Sequence, residues 1–544
     1  MLVLALLFCS FAAGAAADPL WERARANGRQ VDEIFARTQK MLRGWLAYAD
    51  KETLLLPDRL PGLIRGKPNT QSLYTPHNSG ADNYPYLILT AYFTDPDLYR
   101  GRMVDMLRSE VRYTAVGGAI PADFDFRTRT LGPPSFFGAG EYAKDGLISV
   151  TELLGRTPWF YRMVDMMEDF MRRAPVKTRF GNLPDTGAEL NGDVLQTLVR
   201  LIPMTADTRF LRWAEQIATA YFEEVLPANH GLPGFRWDFE KRAGESHTRL
   251  RDHGNELIVG LTLLLAVEHD LNRPQAASWL PAVRRMLDRV LASANHDGML
   301  YNEIGNETLQ PRGDRLSDNW GYVYGAVYTF YQITGEAKYR DAVRRVLRNL
   351  PKYRNYDWES GSMDGYADSI ESALYLVARE PAPEALDWIE SEMKTLIAYQ
   401  QEDGTIERWY GDGNWNRTLL LYAMMKSAGC RPKNWQPGVQ LGAASDGDRL
   451  LVSARATGGW SGAIAFDYAR HRRVLNLRRN YVRLNEWPEW FTLDENTLYR
   501  VEDPDAGKHE LRLGSELKEG YLVTVAKGGE RRLIVSPVRR ADSQ

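Results

Sequence analysis

Apolar and polar positions alternate along this chain with two different periods. From about residue 30 to residue 430, apolar residues recur at i, i+3, i+4 and i+7, the spacing of an amphipathic helix. Each helical run stops at a short polar turn, and an aromatic residue follows as the next run begins. Asp95-Pro96 before Tyr99, Gly155 to Pro158 before Trp159, Ala206-Asp207-Thr208 before Phe210 and Gly335-Glu336 before Tyr339 share this form. Gly can end the outgoing helix, Thr or Asp can cap the incoming one, and Pro fits a first helical turn. Looser versions at 268–274 and 379–383 bring the count to about six helical hairpins.

The two helices of each hairpin differ in character. Residues 257–265 and 322–331 are apolar nearly all round, as expected of helices enclosed by neighbours. By contrast Phe210, Ala214, Ile217, Tyr221 and Val225 form one stripe, with Arg212, Glu215, Glu223 and Glu224 elsewhere, which predicts an outer helix. Inner helices are expected near residues 84, 143, 192, 255, 320, 366 and 416. The amphipathic stretch 31–48 has no inner partner before it. If it packs beside 419–425, the ends of the array meet and a ring closes with seven pairs; six pairs with one helix set aside is the alternative. After Pro432 and Pro437 the pattern becomes short alternating runs with turn residues between them, such as 449–454, 462–466 and 521–525. The expected fold is mainly α, an (α/α)6 or (α/α)7 toroid at 18–436 followed by a small antiparallel β-sandwich-like domain at 437–544.

Composition adds an address and removes some partners. Residues 2–11 form an apolar run leading into Ala12, Ala13, Gly14, Ala15, Ala16 and Ala17, which reads as a signal peptide over 1–17 cleaved after Ala17. The chain is therefore expected to be secreted or periplasmic, with no membrane association once the signal is removed. Cleavage leaves Cys430 as the sole cysteine, so no intramolecular disulfide can form. A formal net charge of −3 over 544 residues gives no basic field for nucleic acid. There is no Walker loop, dinucleotide turn, EF-hand or zinc spacing, so neither a cofactor nor a metal is expected.

The repeated turns, the Asp297-Gly298 and Asp403-Gly404 pairs after outer helices, and the β-appendage resemble the α/α-toroid carbohydrate-active enzymes. That superfamily includes unsaturated glucuronyl hydrolases, toroid polysaccharide lyases and sugar epimerases. The resemblance implies a carbohydrate substrate. It singles out no family, and function has to be argued from the site.

Inner helices enter such a ring from one face, so the loops before them converge on one mouth. Those loops are dense in polar and aromatic residues at 79–84, 140–145, 189–193, 251–256, 317–320, 363–368 and 410–415. Asp, Asn and Ser at helix starts are also what capping requires, but seven clusters in phase point to a concave binding site. Asp193, Asp318 and Asp368 are the candidate acid and base for glycosidic cleavage, which needs a proton donor and a second carboxylate. His253 is a candidate proton carrier. In the alternative, β-elimination of a uronate chain, His253, Asn255 and Tyr322 supply the chemistry; a non-catalytic glycan binder is the third reading. Tyr142, Arg251, Asn255, Asn319, Trp320, Asp364, Trp409 and Asn414 are the candidate substrate contacts. Arginines near the mouth, among them Arg249, Arg251, Arg312, Arg315 and Arg417, suit an acidic sugar through bidentate carboxylate binding.

Overall fold

The computed structural model describes residues 18–64, 67–69 and 72–538. The expected signal peptide at 1–17 lies outside the described residues. The first helix, α1 (Pro19–Leu46), starts where the Asp18 carboxylate accepts from the Leu20 amide at 3.0 Å. It buries Val31, Ile34, Phe35, Met41, Leu42 and Trp45 as one stripe.

Helical hairpins follow. α2 (Tyr84–Thr94) leads to α3 (Arg102–Thr114). Phe136–Glu141, a π-helical turn at Tyr142–Leu147 and α4 (Ile148–Leu154) run on as one and lead to α5 (Pro158–Arg173). The remaining pairs are α6 (Ala188–Thr205) with α7 (Thr208–Ala220), α8 (Glu256–Asp270) with α9 (Pro274–Ala292), α10 (Trp320–Thr334) with α11 (Ala337–Asn349), and α12 (Met363–Val377) with α13 (Pro383–Ile397). α14 (Asp412–Lys426) closes the series. The turns use the chemistry that the sequence pattern implies: Asp95 and Asp207 cap incoming helices, and Gly335 ends α10 at φ +73°.

α2, α4 with the helical turns that run into it, α6, α8, α10, α12 and α14 pack side by side in that order, and α14 returns to α2. They form the wall of a ring, and α8, α10 and α14 are buried nearly all round. α1 lies against both α14 and α2, beside the 419–425 run. Close approach along this wall depends on glycine: a Cβ on Gly192 would sit 2.3 Å from the Glu256 backbone, and one on Gly413 would sit 1.7 Å from the Asp82 carbonyl. Short strands decorate the mouth, including β1 (His247–Arg249) paired antiparallel with β2 (Glu303–Gly305).

The C-terminal part is built from β3 (Val439–Asp446), β4 (Arg449–Ala456), β5 (Trp460–Ala465), β6 (Leu498–Asp503), β7 (Lys508–Leu513), β8 (Tyr521–Val525) and β9 (Gly529–Pro537). An antiparallel sheet runs in the order β3-β4-β9-β6-β7, and Arg431–Pro432, β5 and β8 form a second. β3 lies on α1, where a Cβ on Gly442 would meet the Gly28 nitrogen at 2.1 Å. Helix α1 is thus held between the sheet and the ring.

Between β5 and β6 the chain leaves the sheets and crosses the ring at the C-terminal ends of the inner helices. Arg200 of α6 donates to the Leu484 carbonyl, Thr329 of α10 to that of Val482, and Trp487 donates to Ser149 of α4. Glu152 pairs with Arg200 at 3.1 Å and with Arg483 at 2.9 Å, and Glu486 pairs with Arg483 at 3.2 Å and with Arg379. Glu152, Arg200, Arg483 and Glu486 are almost fully buried, and each has a partner of opposite sign. Apolar periodicity does not signal this crossing, because the segment carries no regular element beyond the short helix Arg470–Arg473. No described helix is long and apolar enough to cross a membrane.

Candidate functional site

At the opposite, N-terminal ends of the inner helices lies a cavity of about 590 Å³. Two π-helical turns, Pro76–Asn83 and Tyr142–Leu147, pack together on one side of it. The extra residue in each turn alters the helical phase. They present Asn78, Asp82, Lys144 and Asp145 to the cavity, with Glu141 just before the second turn. The first turn is anchored from below by buried Asp58, which accepts from Thr75 Oγ1 at 2.7 Å, Asn78 Nδ2 at 2.8 Å and Ser79 Oγ at 2.6 Å. The backbone beside Asp58 also pairs with the 408–410 loop, which brings Arg59, Trp409 and Tyr410 to the rim.

On the other side a single guanidinium serves two carboxyl groups. Arg417 Nη2 lies 2.5 Å from Asp368 Oδ1 and 2.8 Å from Glu371 Oε2. Glu371 also accepts from the Tyr322 hydroxyl at 2.7 Å and from the Tyr375 hydroxyl. With three donors Glu371 is the better-supported anion of the pair, although burial raises it as well, with Arg417 and the two tyrosine hydroxyls opposing. Burial pushes Asp368 well above the usual carboxylate range, with Arg417 opposing and Asp318 adding to the rise. Asp364, which accepts from Asn414 Nδ2 at 2.8 Å, is also pushed well up by burial and by Asp368.

Asp252 has the reverse environment. Enclosure by the cavity walls pushes it up, but His253, Lys144 and Arg251 outweigh that and hold it below the usual carboxylate range. His253 Nε2 is 3.4 Å from Asp252 Oδ2, and Nδ1 meets Glu189. Asp252 above all, and Glu189 as well, raise the imidazole to about 10 against the opposing effect of burial, so His253 is a cation at neutral pH. It adopts φ +68°, and Glu359 across the rim adopts φ +46°. Left-handed backbone is uncommon for such residues and concentrates at functional sites.

Of the residues selected from the sequence, His253, Asp368, Tyr322, Arg251, Asp364, Trp409, Asn414 and Arg417 line this cavity. Asp193, Asp318, Tyr142, Asn255, Asn319 and Trp320 lie behind its wall. Asp193 is fully buried, 3.5 Å from Lys144 Nζ, and is raised to about 7 by burial, with Lys144 opposing. Asp318 is buried and raised to about 7 by burial, with Arg251 opposing. Asn255 donates to Asn319 Oδ1 at 3.0 Å beneath the loop, and the Trp320 indole is buried and donates to Ser369. Tyr142 is buried towards Tyr74 and Tyr84. The cavity also has lining residues that the sequence reading passed over: Arg59, His77, Asn78, Phe137 and Glu359. His77 and Asn78 follow Thr75-Pro76, a helix-start signal that could have drawn attention to them. No group of His, Cys, Asp and Glu side chains suited to a metal ion occurs among the described residues.

No family model matches the chain, and no curated protein matches it either. Solved structures do. A sugar epimerase from a ruminal bacterium is 11% identical, with 59% of this chain and 87% of that chain covered and a TM-score of 0.41. An α-1,6-mannanase from Salegentibacter is 12% identical, with 58% and 95% covered and a TM-score of 0.42. An unsaturated glucuronyl hydrolase from Bacillus is 15% identical, with 54% and 87% covered and a TM-score of 0.39.

Proposed function

We propose that this chain is a glycoside hydrolase that cleaves an oligo- or polysaccharide in the cavity by carboxylate acid–base catalysis. The observation that carries the reading is that two carboxyl groups lining one polar cavity have opposite surroundings: burial and neighbouring carboxyls push Asp368 up, while His253, Lys144 and Arg251 hold Asp252 down. Groups pushed apart in this way are suited to acid and base roles. In the reaction Asp368 gives its proton to the glycosidic oxygen as the C1–O bond breaks. Asp252 takes a proton from the water whose oxygen forms the new bond to C1. Arg417 is placed to stabilise the Asp368 carboxylate that remains. Trp409 at the rim offers a ring face, and Asn414, Arg59 and Tyr410 offer polar contacts for sugar hydroxyls.

β-Elimination is less well supported. It needs an unprotonated base, and His253 is cationic at neutral pH, the Tyr322 hydroxyl donates to Glu371 and is pushed well up by burial, and Asn255 is buried away from the cavity. We further take the ring to contain seven helix pairs, with α1 as the outer partner of α14, and the chain to be exported through residues 1–17.

Incubation with neutral and acidic oligosaccharides, read by reducing ends and by absorbance of a new double bond, tests the reading. Reducing ends without absorbance are expected. Asp368→Asn and Asp252→Asn should each lower kcat by about 10²-fold or more with the melting temperature held. Full activity in both variants, or absorbance from a saturated substrate, would remove the proposal.

A further inference from the structure

Beside the main cavity lies a second, smaller one of about 320 Å³, and Arg251 lines both. Its wall is a small piece of antiparallel structure. Arg249 on β1 stands opposite Glu303 on β2, and the Arg312 amide donates to the Glu303 carbonyl at 2.9 Å. Asn302 pairs through its backbone with Arg315. The strands therefore set Arg249, Arg251, Arg312 and Arg315 around one concavity, facing only Glu303 and Asp314 as carboxylates in its lining.

These charges do not cancel. Glu303 is engaged by Arg249 at 3.1 Å, and Arg249 also lies over the Phe235 ring at 4.3 Å, which fixes its plane. Arg251 has Glu359 at 3.9 Å, with Asp318 and Asp252 also acting on its charge from the side of the main cavity, and its Nε is buried without a hydrogen-bond partner. Arg315 is anchored by Ser360, the neighbour of cavity-lining Glu359. Neither Arg312 nor Arg315 has a carboxylate within ion-pair reach among the described residues, and both are exposed. A folded chain ordinarily pairs converging guanidinium groups, and four around one pocket with two carboxylates leave donors aimed at something else.

We infer that this pocket is an anion subsite that binds a carboxylate or sulfate substituent on a sugar adjoining the one held in the main cavity. The inference rests on the hydrolase reading for its neighbouring sugar, but it makes a separate claim about binding. Arg251 joins the two spaces, so an acidic residue seated here places the next linkage toward Asp252 and Asp368. A planar carboxylate matches the fork of one guanidinium, whereas a tetrahedral sulfate can bridge two.

The test is calorimetric titration of the intact chain with three tetrasaccharides: a 1,4-linked uronan, a sulfated galactan and a neutral glucan. At low salt one of the acidic tetrasaccharides should bind at least about tenfold more tightly than the glucan, the scale of a charge-assisted hydrogen bond or two. That advantage should shrink as ionic strength rises. Both arginines lie outside the catalytic cavity, so the double variant Arg312→Gln/Arg315→Gln should lose the advantage while keeping its melting temperature and its affinity for the glucan. Preference for the uronan assigns the carboxylate, and preference for the galactan assigns the sulfate. Equal binding of all three, or an advantage that survives in the double variant, overturns the inference. Loss of an acidic preference in the double variant without any cleavage of the bound tetrasaccharide sustains the anion subsite and removes the hydrolase reading.

Discussion

Asn485 reaches through the ring to Lys144, donating from Nδ2 to the Lys144 carbonyl at 3.0 Å and to Asp145 Oδ1 at 3.0 Å. A residue from the segment between β5 and β6 thereby supports the floor of a cavity whose other walls come from the helical array. Asn485 also adopts φ +59°, a conformation Asn tolerates better than most residues. Asn485→Ala should leave the buried carbonyl unsatisfied and cost about 1–3 kcal/mol in urea unfolding. Turnover should fall by about tenfold because Asp145 loses its support. A variant with lowered stability and unchanged kcat would separate the floor from the chemistry.

Asp318 gives a pH test. Its carboxyl rises from 3.8 to about 7 in the folded chain, mainly through burial. Between these values the folded chain holds a proton that the unfolded chain has released. The stability linked to that proton is complete below about pH 4 and is lost as pH rises through about 7. Asp318→Asn has no proton to release. Its melting temperature relative to the unsubstituted chain should therefore increase between pH 5 and pH 8, by about 2 °C or more. An unchanged difference would mean that Asp318 titrates normally.

Gly413 tests the seam between α14 and the first π-helical turn. Gly413→Ala places a methyl 1.7 Å from the Asp82 carbonyl, which is backbone and cannot swing aside. Overpacking of this kind costs about 1–3 kcal/mol. Asp82 and Asn414 flank the contact in the cavity wall, so turnover should fall together with the melting temperature. Gly335→Ala is a useful contrast: a Cβ there meets nothing within 4 Å, and the cost comes from φ +73° alone. It should destabilise the chain without altering KM.

The buried ion network gives the largest expected loss. Glu152→Gln leaves Arg200 and Arg483 sharing a neutral amide in a buried setting, a change that costs about 3–5 kcal/mol by chemical denaturation. Replacing Glu152, Arg200 and Arg483 together by Gln, Met and Met should cost less than Glu152→Gln alone, because the remaining Glu486 keeps Arg379 as its partner and no buried charge is left unpaired.

The ring could be read from the sequence because its signals are local. Gly335, Asp95 and Asp207 act within a few residues of the turns they make, and the contrast between 257–265 and the Phe210 stripe separates wall from exterior. The location of the mouth followed from the same logic. Sorting its residues was harder. A π-helical turn changes the helical phase by one residue, and Lys144 and Asp145 then face the cavity while Tyr142 turns away from it. Nothing in the spacing announces that extra residue. Asp193 and Asp318 read as cap-position carboxylates like Asp368, and only the packing of α6 against α8 and of the 251–256 loop over Asp318 separates them. Glu359 and Arg59 arrive on loops whose positions depend on distant partners.

The segment from β5 to β6 also determines how anything can move through the ring. A channel open at both ends would let a polymer slide through and be cut repeatedly without letting go. Here Val482, Leu484 and Trp487 are bonded to the inner helices at the far end of the ring, which closes that end. On the hydrolase reading proposed above, a chamber with such a floor would favour chain ends and short fragments, which would leave by the way they came.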